Sequence, residues 1–367
     1  MVDQRDLEKE LSEAAHKLSA IKHAGLIFHD DADGICAAAI TKSVLDNIKV
    51  KYELICLEKL YPEAIQALGE LNIPLLFVDL ASPHADLIMA HTKTPVIILD
   101  HHQAQRTKFE PNIININPCF YGFDGGAECS ASTLCFLFAR NFLDNATLVK
   151  TAELAIIGAV GDVQKFVTLN EIPYKLTKVK ATTTMARKLT ILGSVGYYKD
   201  GPIKAVDAAL HGFTNELNKE VNELEQERKK RFAELREKLL VKQSKHFSYF
   251  HTMETLSDLG VKVIGSFCSY LSFQAFRFGI RKPLLGFMAM RKEIPGLGVL
   301  RHDYVKVSAR IPKGIKVKIN LGELLQQACR EFGGIGEGHA AAASGVLLKG
   351  KEGNFIDRID ALAEELK

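Results

Sequence analysis

Short apolar segments alternate with helical segments through the first half of the chain, and this alternation constrains the fold more than any other feature. Five runs rich in β-branched residues are predicted as strands, at 25–29, 50–56, 74–79, 94–100 and 113–116. Helical periodicity between and after them predicts helices over 35–47, 61–70, 129–142 and 147–161. Strands that are apolar on both faces and joined by helices are typical of a parallel sheet. The sequence therefore predicts an α/β domain with a parallel sheet and helices on both of its faces.

A stretch without glycine or proline, residues 214–246, follows this domain. Its apolar residues recur at spacings of three and four, which predicts one long amphipathic helix. The mixed charges favour a solvated face, with one apolar stripe packed on a domain or a partner. A basic contact with nucleic acid at Arg228–Arg231 is the alternative. We expect this helix to connect a first domain, 1–213, to a second, 247–367.

The second domain is predicted to be smaller, α/β in class, and built on a mixed sheet. Three strands are expected, at 260–267, 283–290 and 304–311. A helix over 320–331, a glycine-rich turn and a last helix over 354–366 complete the pattern.

Composition and charge narrow the class of protein. The chain has 367 residues and a net charge of only +3, which does not by itself indicate a nucleic-acid binder. Its seven cysteines are odd in number and none lies in a C-x-x-C pair, a pattern typical of reduced thiols. No signal peptide and no apolar run long enough to span a bilayer is present. We therefore expect a cytoplasmic protein that does not enter the membrane.

Acidic and histidine side chains follow several of these apolar elements. They are His29, Asp31 and Asp33 after the first strand, Asp79 after the third, Asp100, His101 and His102 after the fourth, and Asp162 after the helix over 147–161. Ligands of parallel sheets bind beyond the carboxyl ends of the strands, so these side chains are expected to converge. For Asp79 taken alone, a helix N-cap is an equally good interpretation.

Carboxylates that converge in this way need positive counter-charge, because like charges held close disfavour joint ionisation. Two divalent cations would balance the four carboxylates, which are Asp31, Asp33, Asp79 and Asp162. A shell of oxygen and imidazole ligands favours Mn²⁺, with Mg²⁺, Co²⁺ or Zn²⁺ as alternatives.

These motifs carry a resemblance to a known family. HDDADG, FVDL, LDHHQ and GAVGD, in this order, resemble the four motifs of the DHH phosphoesterase superfamily. In the second domain, FGGIGEGHAAAASG resembles the GG-x-GH-x-x-AAG signature of the DHH-associated C-terminal domain. The resemblance implies a dinuclear metal site in the first domain and a phosphate-binding site in the second.

Position by position, the resemblance implies a role for each residue. One metal would be bound by His29 and Asp31, and the other by Asp33, His101 and Asp162. Asp79 would bridge the two, and Asp100 and His102 would take the catalytic positions that support the ligands and contact the phosphate. The residues implied to grip a substrate phosphate are His339, Gly333, Gly334, Gly338, Arg310 and Ser308. The sequence departs from the family pattern at Glu337 within the glycine run, at Ser344, and at His29.

The resemblance also orders the possible substrates. Only 22 residues follow Gly345, too few for the OB-fold of bacterial RecJ nucleases, so the chain is similar to the short archaeal RecJ-like proteins. We expect a metal-dependent exonuclease that releases mononucleotides from single-stranded DNA or RNA. An oligoribonuclease or a cyclic-dinucleotide phosphodiesterase is the first alternative. A partner protein that docks on a helicase or replication assembly through the connector helix is the second.

Overall fold

A computed structural model describes residues 4–104, 111–177 and 183–365. The helices are α1 (Gln4–Ser19), α2 (Ala32–Asn47), α3 (Pro62–Glu70), α4 (Ala85–His91), α5 (Ala131–Ala139), α6 (Asn145–Gly161), α7 (Glu171–Leu176), α8 (Thr183–Thr190), α9 (Gly201–His211), α10 (Asn215–Glu237), α11 (Val263–Phe273), α12 (Leu321–Glu331) and α13 (Glu352–Glu365). The strands are β1 (His23–Phe28), β2 (Lys51–Cys56), β3 (Leu75–Val78), β4 (Val96–Leu99), β5 (Ile113–Ile116), β6 (Lys242–Gln243), β7 (Ser248–His251), β8 (Leu284–Ala289), β9 (Glu293–Ile294), β10 (Gly298–Val299), β11 (Tyr304–Arg310), β12 (Ile335–Gly338) and β13 (Ala342–Leu348).

The chain divides into two compact units, and the main boundary lies inside α10, between Asn222 and Glu223. The first unit is built on a parallel sheet of five strands in the order β2-β1-β3-β4-β5. The chain moves in one direction from β1 to β2 and in the other from β2 to β3. Because such crossovers are right-handed, α2 lies on one face of the sheet and α3 on the other. The predicted parallel α/β domain is confirmed.

Helix α2 is the centre of the first unit. It packs against α5, α6 and α9, and all but a few of its side chains are buried. Because nearly all of its surface is covered by other elements, α2 needs few polar residues. Its sequence, ADGICAAAITKSVLDN, is accordingly rich in alanine and carries few charges. The enclosure fixes the start of α2 rigidly, and the start of α2 lies directly beyond β1.

The second unit contains a mixed sheet of six strands in the order β12-β13-β11-β8-β7-β6. All neighbours are antiparallel except β7 and β8, which are parallel. Side chains of α12 and α13 form the core on one face of this sheet. Helix α11 contacts β8 and β11. The predicted mixed-sheet α/β domain is confirmed.

The strand predicted at 260–267 is wrong, because most of this segment belongs to α11. Its β-branched start suggested a strand. Its buried residues, however, recur with a helical period, at Val263, Ile264, Phe267, Cys268 and Leu271. Burial of that stripe stabilises the helix in spite of the local β propensity.

The helix predicted over 214–246 ends at Glu237. The Asp360 carboxylate accepts hydrogen bonds from the Lys245 and His246 amides, and Lys242 pairs with Tyr249 across a hairpin. These tertiary bonds compete with helix continuation. The basic segment of α10 is largely paired within the chain, since Arg231 contacts Glu227 at 2.6 Å and Asp258 at 3.0 Å.

The glycine-rich segment is not a flexible turn. Gly333, with a φ of +72°, ends α12, and residues 335–338 form β12 at the edge of the sheet. β12 pairs with β13 through a tight hairpin in which His339 and Ala342 exchange backbone hydrogen bonds. The glycine-rich turn predicted here is therefore an edge strand followed by a two-residue turn.

Within the described ranges, every helix is too short or too polar to cross a lipid bilayer.

The core of the second unit predicts a stability difference between two phenylalanines. Phe355 is fully buried among apolar residues, whereas the side chain of Phe273 is 82% exposed. We expect Phe355→Ala to lower the free energy of unfolding by about 3–5 kcal/mol, because it loses apolar burial and leaves a cavity. Phe273→Ala, the matched control, is expected to change it by less than about 0.5 kcal/mol. Urea denaturation measures both, and equal effects would contradict the assigned core.

Candidate metal centre

The sequence-predicted acidic and histidine residues of the first unit converge beyond the carboxyl ends of β1, β3 and β4. The strand order reverses between β1 and β3, and a crevice opens at such a reversal in doubly wound sheets. His29 follows β1, Asp79 follows β3, and Asp100 follows β4. The C-terminus of α6 brings Asp162 to the same place.

One group of possible ligands consists of His29, Asp31 and Asp79, whose ligand atoms all lie within 4.8 Å of one another. His29 Nδ1 is 3.1 Å from Asp31 Oδ2 and 3.5 Å from Asp79 Oδ2. Asp31 is also the N-cap of α2, since its other oxygen accepts a hydrogen bond from the Gly34 amide. The cap orients Asp31 toward the group.

A second group consists of Asp33, His101 and Asp162, again with ligand atoms within 4.8 Å of one another. His101 Nε2 is 3.1 Å from Asp79 Oδ1, 3.3 Å from Asp162 Oδ2 and 3.7 Å from Asp33 Oδ2. One oxygen of Asp79 therefore faces each group. Asp79 is no helix N-cap, and its φ of +62° is unusual for a residue other than glycine.

Asp33 is held in place by the N-terminus of α5. Its carboxylate accepts hydrogen bonds from the Ala131 amide at 2.7 Å and the Ser132 amide at 3.0 Å, and from the Ser132 hydroxyl. Unpaired amides and the helix dipole at this terminus favour a negative charge. A Cβ at Gly158 of α6 would overlap both Ser132 Oγ and Asp33 Oδ1, so glycine is required there.

His101 is oriented by groups behind it. Its Nδ1 donates to the Gly125 carbonyl at 2.6 Å, which leaves Nε2 as the nitrogen that faces the carboxylates. Gln164 Nε2 donates to the same carbonyl at 2.9 Å. Gln164 is in turn bound by the Asn170 side chain at 2.8 Å. Together these groups set the position of the imidazole ring.

Asp100 is buried, and its carboxylate binds the two histidines that follow it in the chain. It accepts hydrogen bonds from the Ser82 amide, the His101 amide and His102 Nδ1, the last at 2.7 Å. The structure also groups His102 with Asp79 and His101 within ligand distance. His102 thus presents Nε2 from a ring that Asp100 holds fixed.

The pKa values in this cluster are shifted because buried groups of like charge are held close together. Burial, reinforced by Asp79, raises the pKa of Asp33 to about 6. Burial, followed by the charges of Asp33 and Asp31, raises the pKa of Asp162 well above its usual value. For His101 burial alone would lower the pKa, but the surrounding carboxylates outweigh it and raise the pKa well above its usual value.

The donor set fits divalent cations. Asp79 Oδ1 and His101 Nε2 are both buried, and among the described residues neither makes a hydrogen bond although they lie 3.1 Å apart. Because neither atom has a hydrogen-bonded partner in the described part of the chain, the two atoms mark a place where a cation can replace the proton of His101. Carboxylate oxygens with imidazole nitrogens suit Mn²⁺ and Mg²⁺, and also Zn²⁺. The ligand assignments themselves stay predictions.

The structure brings four of the residues predicted to bind phosphate in the second unit to one end of the sheet and places Gly333 and Gly334 elsewhere. The Gly334 amide donates to the Cys329 carbonyl at 2.9 Å and the Gly333 amide to Arg330 at 3.4 Å, so both cap α12. Gly338 and His339 are exposed at the β12–β13 hairpin. Of the three glycines predicted to bind phosphate, only Gly338 therefore lies at this exposed hairpin.

Arg310 and Ser308 lie on one face of β11 beside α11. Arg310 donates to Ser269 Oγ at 3.1 Å, to Ser308 Oγ at 3.2 Å and to the Ala309 carbonyl at 2.8 Å. Within the described part of the chain, all the acceptors found for this guanidinium are uncharged, and burial lowers its pKa. Their role in phosphate binding stays a prediction.

Sequence reasoning missed the supporting residues, of which Gln164, Ser132, Asn170 and Gly125 bind the predicted ligands or one another. Only Ser132 had a signal in the sequence, because it lies in the S-x-S-T start of an apolar helix, where Ser130 is the N-cap. The other three belong to irregular segments whose contacts no periodicity predicts.

Acids and imidazoles meet at the switch point of a doubly wound parallel sheet, and this arrangement is suited to holding divalent cations in an α/β protein. Residues 25–159 match the DHH family, N-terminal domain, and residues 282–365 match the DHHA1 domain. The two matches together cover more than half of the chain. Residues 25–159 and 282–365 therefore carry the two domains of a DHH superfamily phosphoesterase.

Relatives agree with this placement. An uncharacterised protein of Methanocaldococcus jannaschii is 31% identical over 192 residues, which is 48% of this chain and 43% of that protein. The structure of RecJ from Thermus thermophilus in complex with Mn²⁺ is similar with a TM-score of 0.65 and 18% identity, over 98% of this chain and 55% of that chain. A structure of exonuclease RecJ bound to manganese has a TM-score of 0.60 and 18% identity, over 97% of this chain and 94% of the other. The chain thus spans about half the length of the first two.

The raised pKa values predict how the stability of the metal-free protein depends on pH. Folded Asp33 and Asp162 hold protons that the unfolded chain releases above about pH 4. The free energy of unfolding is therefore expected to fall as the pH rises from about 5 to 7 in EDTA. His101, whose raised pKa favours the folded state at low pH, acts in the same direction. Saturating Mn²⁺ should remove the decline in melting temperature, and a decline of equal size with Mn²⁺ would contradict the site.

Gln164 provides a test of the groups behind His101. We expect Gln164→Ala to weaken Mn²⁺ binding about 10- to 100-fold, because the Gly125 carbonyl and the imidazole lose a support. Isothermal titration calorimetry measures the affinity. Gln66→Ala, at an exposed position of α3, is the control. Unchanged affinity in Gln164→Ala would show that the network is not needed.

Proposed function

We propose that the protein is a metal-dependent exonuclease that hydrolyses single-stranded DNA or RNA to mononucleotides. The observation that carries this proposal is the pair of ligand groups that share Asp79, at the switch point of the sheet. In a family of phosphoesterases, such a centre is suited to in-line displacement at a phosphodiester.

The proposed cofactors are two divalent cations. His29 and Asp31 would hold one, Asp33, His101 and Asp162 would hold the other, and Asp79 would contact both. When bound, divalent cations supply Lewis acidity toward water and toward the phosphoryl oxygens. The mixed ligand set supports Mn²⁺, and Mg²⁺ or Co²⁺ are alternatives. The Thermus RecJ, for comparison, has been crystallised with Mn²⁺ and with Mg²⁺.

His102 and Asp100 are the proposed catalytic residues of the chain itself. Asp100 binds His102 Nδ1 and fixes its proton there, so that Nε2 is directed away from Asp100. The imidazole of His102 is partly exposed, at 36%, whereas Asp100 is fully buried. His102 can therefore contact a substrate phosphate, while Asp100 keeps the ring in one orientation and one tautomer.

The second unit supports nucleic acid as the substrate class. The side chains of Phe273 and Phe276 are 82% and 63% exposed, and Arg277 lies over the ring of Phe278 at 5.9 Å. Exposed aromatic rings among cations are suited to stacking with unpaired bases and to contact with their phosphates. Phe287, which lies close to them in the sequence, belongs to the core instead.

The remaining phosphate-binding residues form the second part of the proposal. Arg310 is half-buried with uncharged acceptors, and a phosphate would supply the negative charge that such a cation favours. Ser308 is bound to it, and His339 with Gly338 is exposed at the nearby hairpin of the same sheet. Reduced thiols and the charge pattern leave a cytoplasmic site of action as our expectation.

The alternatives differ in what they predict for substrate length. An oligoribonuclease or cyclic-dinucleotide phosphodiesterase would lose activity steeply as the strand lengthens. A replication or helicase partner without catalysis would show no hydrolysis at all. The paired charges along the C-terminal part of α10 offer no distinct support for docking through that helix.

Substitution of Asp79 tests the proposal directly. Purified protein with Mn²⁺ is expected to release mononucleotides from an end-labelled single strand. Asp79→Asn should lower kcat/KM more than about a thousandfold, because the contribution of a metal centre amounts to several kcal/mol. Product analysis by strand length and labelled end measures this.

Asp86→Asn is the matched control, since Asp86 is an exposed carboxylate on α4 outside the cluster. It should retain full activity. Hydrolysis of dinucleotides alone would replace the exonuclease by the short-substrate alternative. Hydrolysis that survives in Asp79→Asn would contradict the metal mechanism.

A further inference from the structure

Val163 has an unusual conformation at the end of α6. The Gln164 amide donates to the Ala159 carbonyl at 2.9 Å and the Val163 amide to Val160 at 3.1 Å. These two bonds define a Schellman motif, in which the residue after the cap adopts the left-handed conformation. That residue is Val163, with a φ of +56°.

The same motif ends α12 of this chain with a glycine. There the Gly334 amide donates to the Cys329 carbonyl, and Gly333, with a φ of +72°, takes the left-handed position. Glycine adopts this conformation without steric conflict, whereas a β-branched residue does so unfavourably. Val163 therefore carries backbone strain that glycine would avoid.

Packing of the Val163 side chain does not compensate for this backbone strain. The side chain is 89% exposed, so it contributes almost no burial to the core. Strain of this kind is concentrated at functional sites, where the surroundings hold it in place. Val163 directly follows Asp162, one of the residues that face His101 across the metal centre.

Further apolar side chains are exposed in the segment that Val163 begins. Tyr174 is 45% exposed, and its ring stacks on Phe166 with a centroid separation of 4.8 Å and an interplanar angle of 18°. The segment is ordered, since the Asn170 amide donates to the Glu128 carbonyl at 3.0 Å and the Lys165 amide to Ala127 at 3.2 Å. The ring pair, of which Tyr174 is the exposed member, is therefore held in a fixed position.

We propose that Val163 and the Phe166–Tyr174 ring pair form a contact surface for the unpaired nucleobase beside the phosphate at the metal centre. This inference rests on the proposed function. The flat apolar face of a base suits a valine and a stacked aromatic pair, and such contacts tolerate any base. Phe166 lies four residues from Asp162, at most about 15 Å along the chain, which keeps it near the reacting phosphate. The site thereby selects strands that carry bases over other phosphate esters.

The experiment compares two substrates with the same phosphodiesters. One is a ten-residue thymidine strand, and the other is a ten-residue strand of tetrahydrofuran abasic units. Wild-type protein in Mn²⁺ is expected to favour the thymidine strand about tenfold or more in kcat/KM. Val163→Gly and Tyr174→Ala should each lower kcat/KM for the thymidine strand about tenfold and leave the abasic strand unchanged.

Stability and metal affinity separate this role from a structural one. Val163→Gly is expected to raise the melting temperature, because glycine relieves the strain, while Mn²⁺ affinity stays unchanged. Val149→Ala is the control, because Val149 is 39% exposed near the start of α6, about 20 Å from Asp162. It should change neither activity.

The outcomes distinguish the inference from the proposed function. If the wild type hydrolyses neither strand, the proposed function fails and the inference falls with it. If the wild type hydrolyses the thymidine strand and both variants do so equally well, the inference alone is overturned. Equal losses on both strands, or no wild-type preference for bases, would also overturn it and would assign the segment to the fold or to another partner.

Discussion

The repulsion between four carboxylates held at one point is the constraint on which the first unit depends. A buried cluster of this kind is unfavourable unless it is neutralised, and the raised pKa values of Asp33 and Asp162 express that cost. The surrounding fold is arranged to hold it nonetheless. The amides that begin α5 bind Asp33, the Gly125 carbonyl fixes His101, and glycine at position 158 makes room. Cations bound here would relieve the repulsion that the fold imposes, and would thereby link stability to metal binding.

The two units contribute different chemistry. The first concentrates negative charge and imidazole at the switch point of a parallel sheet. The second carries exposed aromatic rings and an arginine with uncharged neighbours. This division explains why the net charge of the whole chain is so small, since the acidic centre and the basic segments cancel in the sum. The net charge therefore says little about the substrate, whereas the positions of the acidic and basic residues in the two units are informative.

The parts of the fold that the sequence predicted well are those in which local pattern and tertiary burial agree. Strands β1, β3, β4 and β5 are mostly apolar and buried, as strands of a parallel sheet covered on both faces are, so their positions followed from the sequence pattern. The edge strand β2 is buried only at its end, where it continues as an apolar run. The segment 260–267 departs from its prediction because its β-branched residues favour a strand locally, while the buried stripe that continues to Leu271 favours a helix. The glycine run departs from its prediction for a related reason. Glycine permits a loop, but it also permits the close approach of Gly334, which caps α12, to the Val346 carbonyl of β13.

The sequence by itself determined the class of site, because acids and histidines placed after successive parallel strands must meet at one edge of the sheet. It determined the candidate ligands for the same reason. Only the tertiary structure decided which oxygen of Asp79 faces which group, that Gln164 and Gly125 support His101, and that two of the predicted phosphate-binding glycines cap a helix. Those features depend on contacts between irregular segments distant in the chain. Periodicity carries no information about such contacts, since it reports only which face of an element is buried.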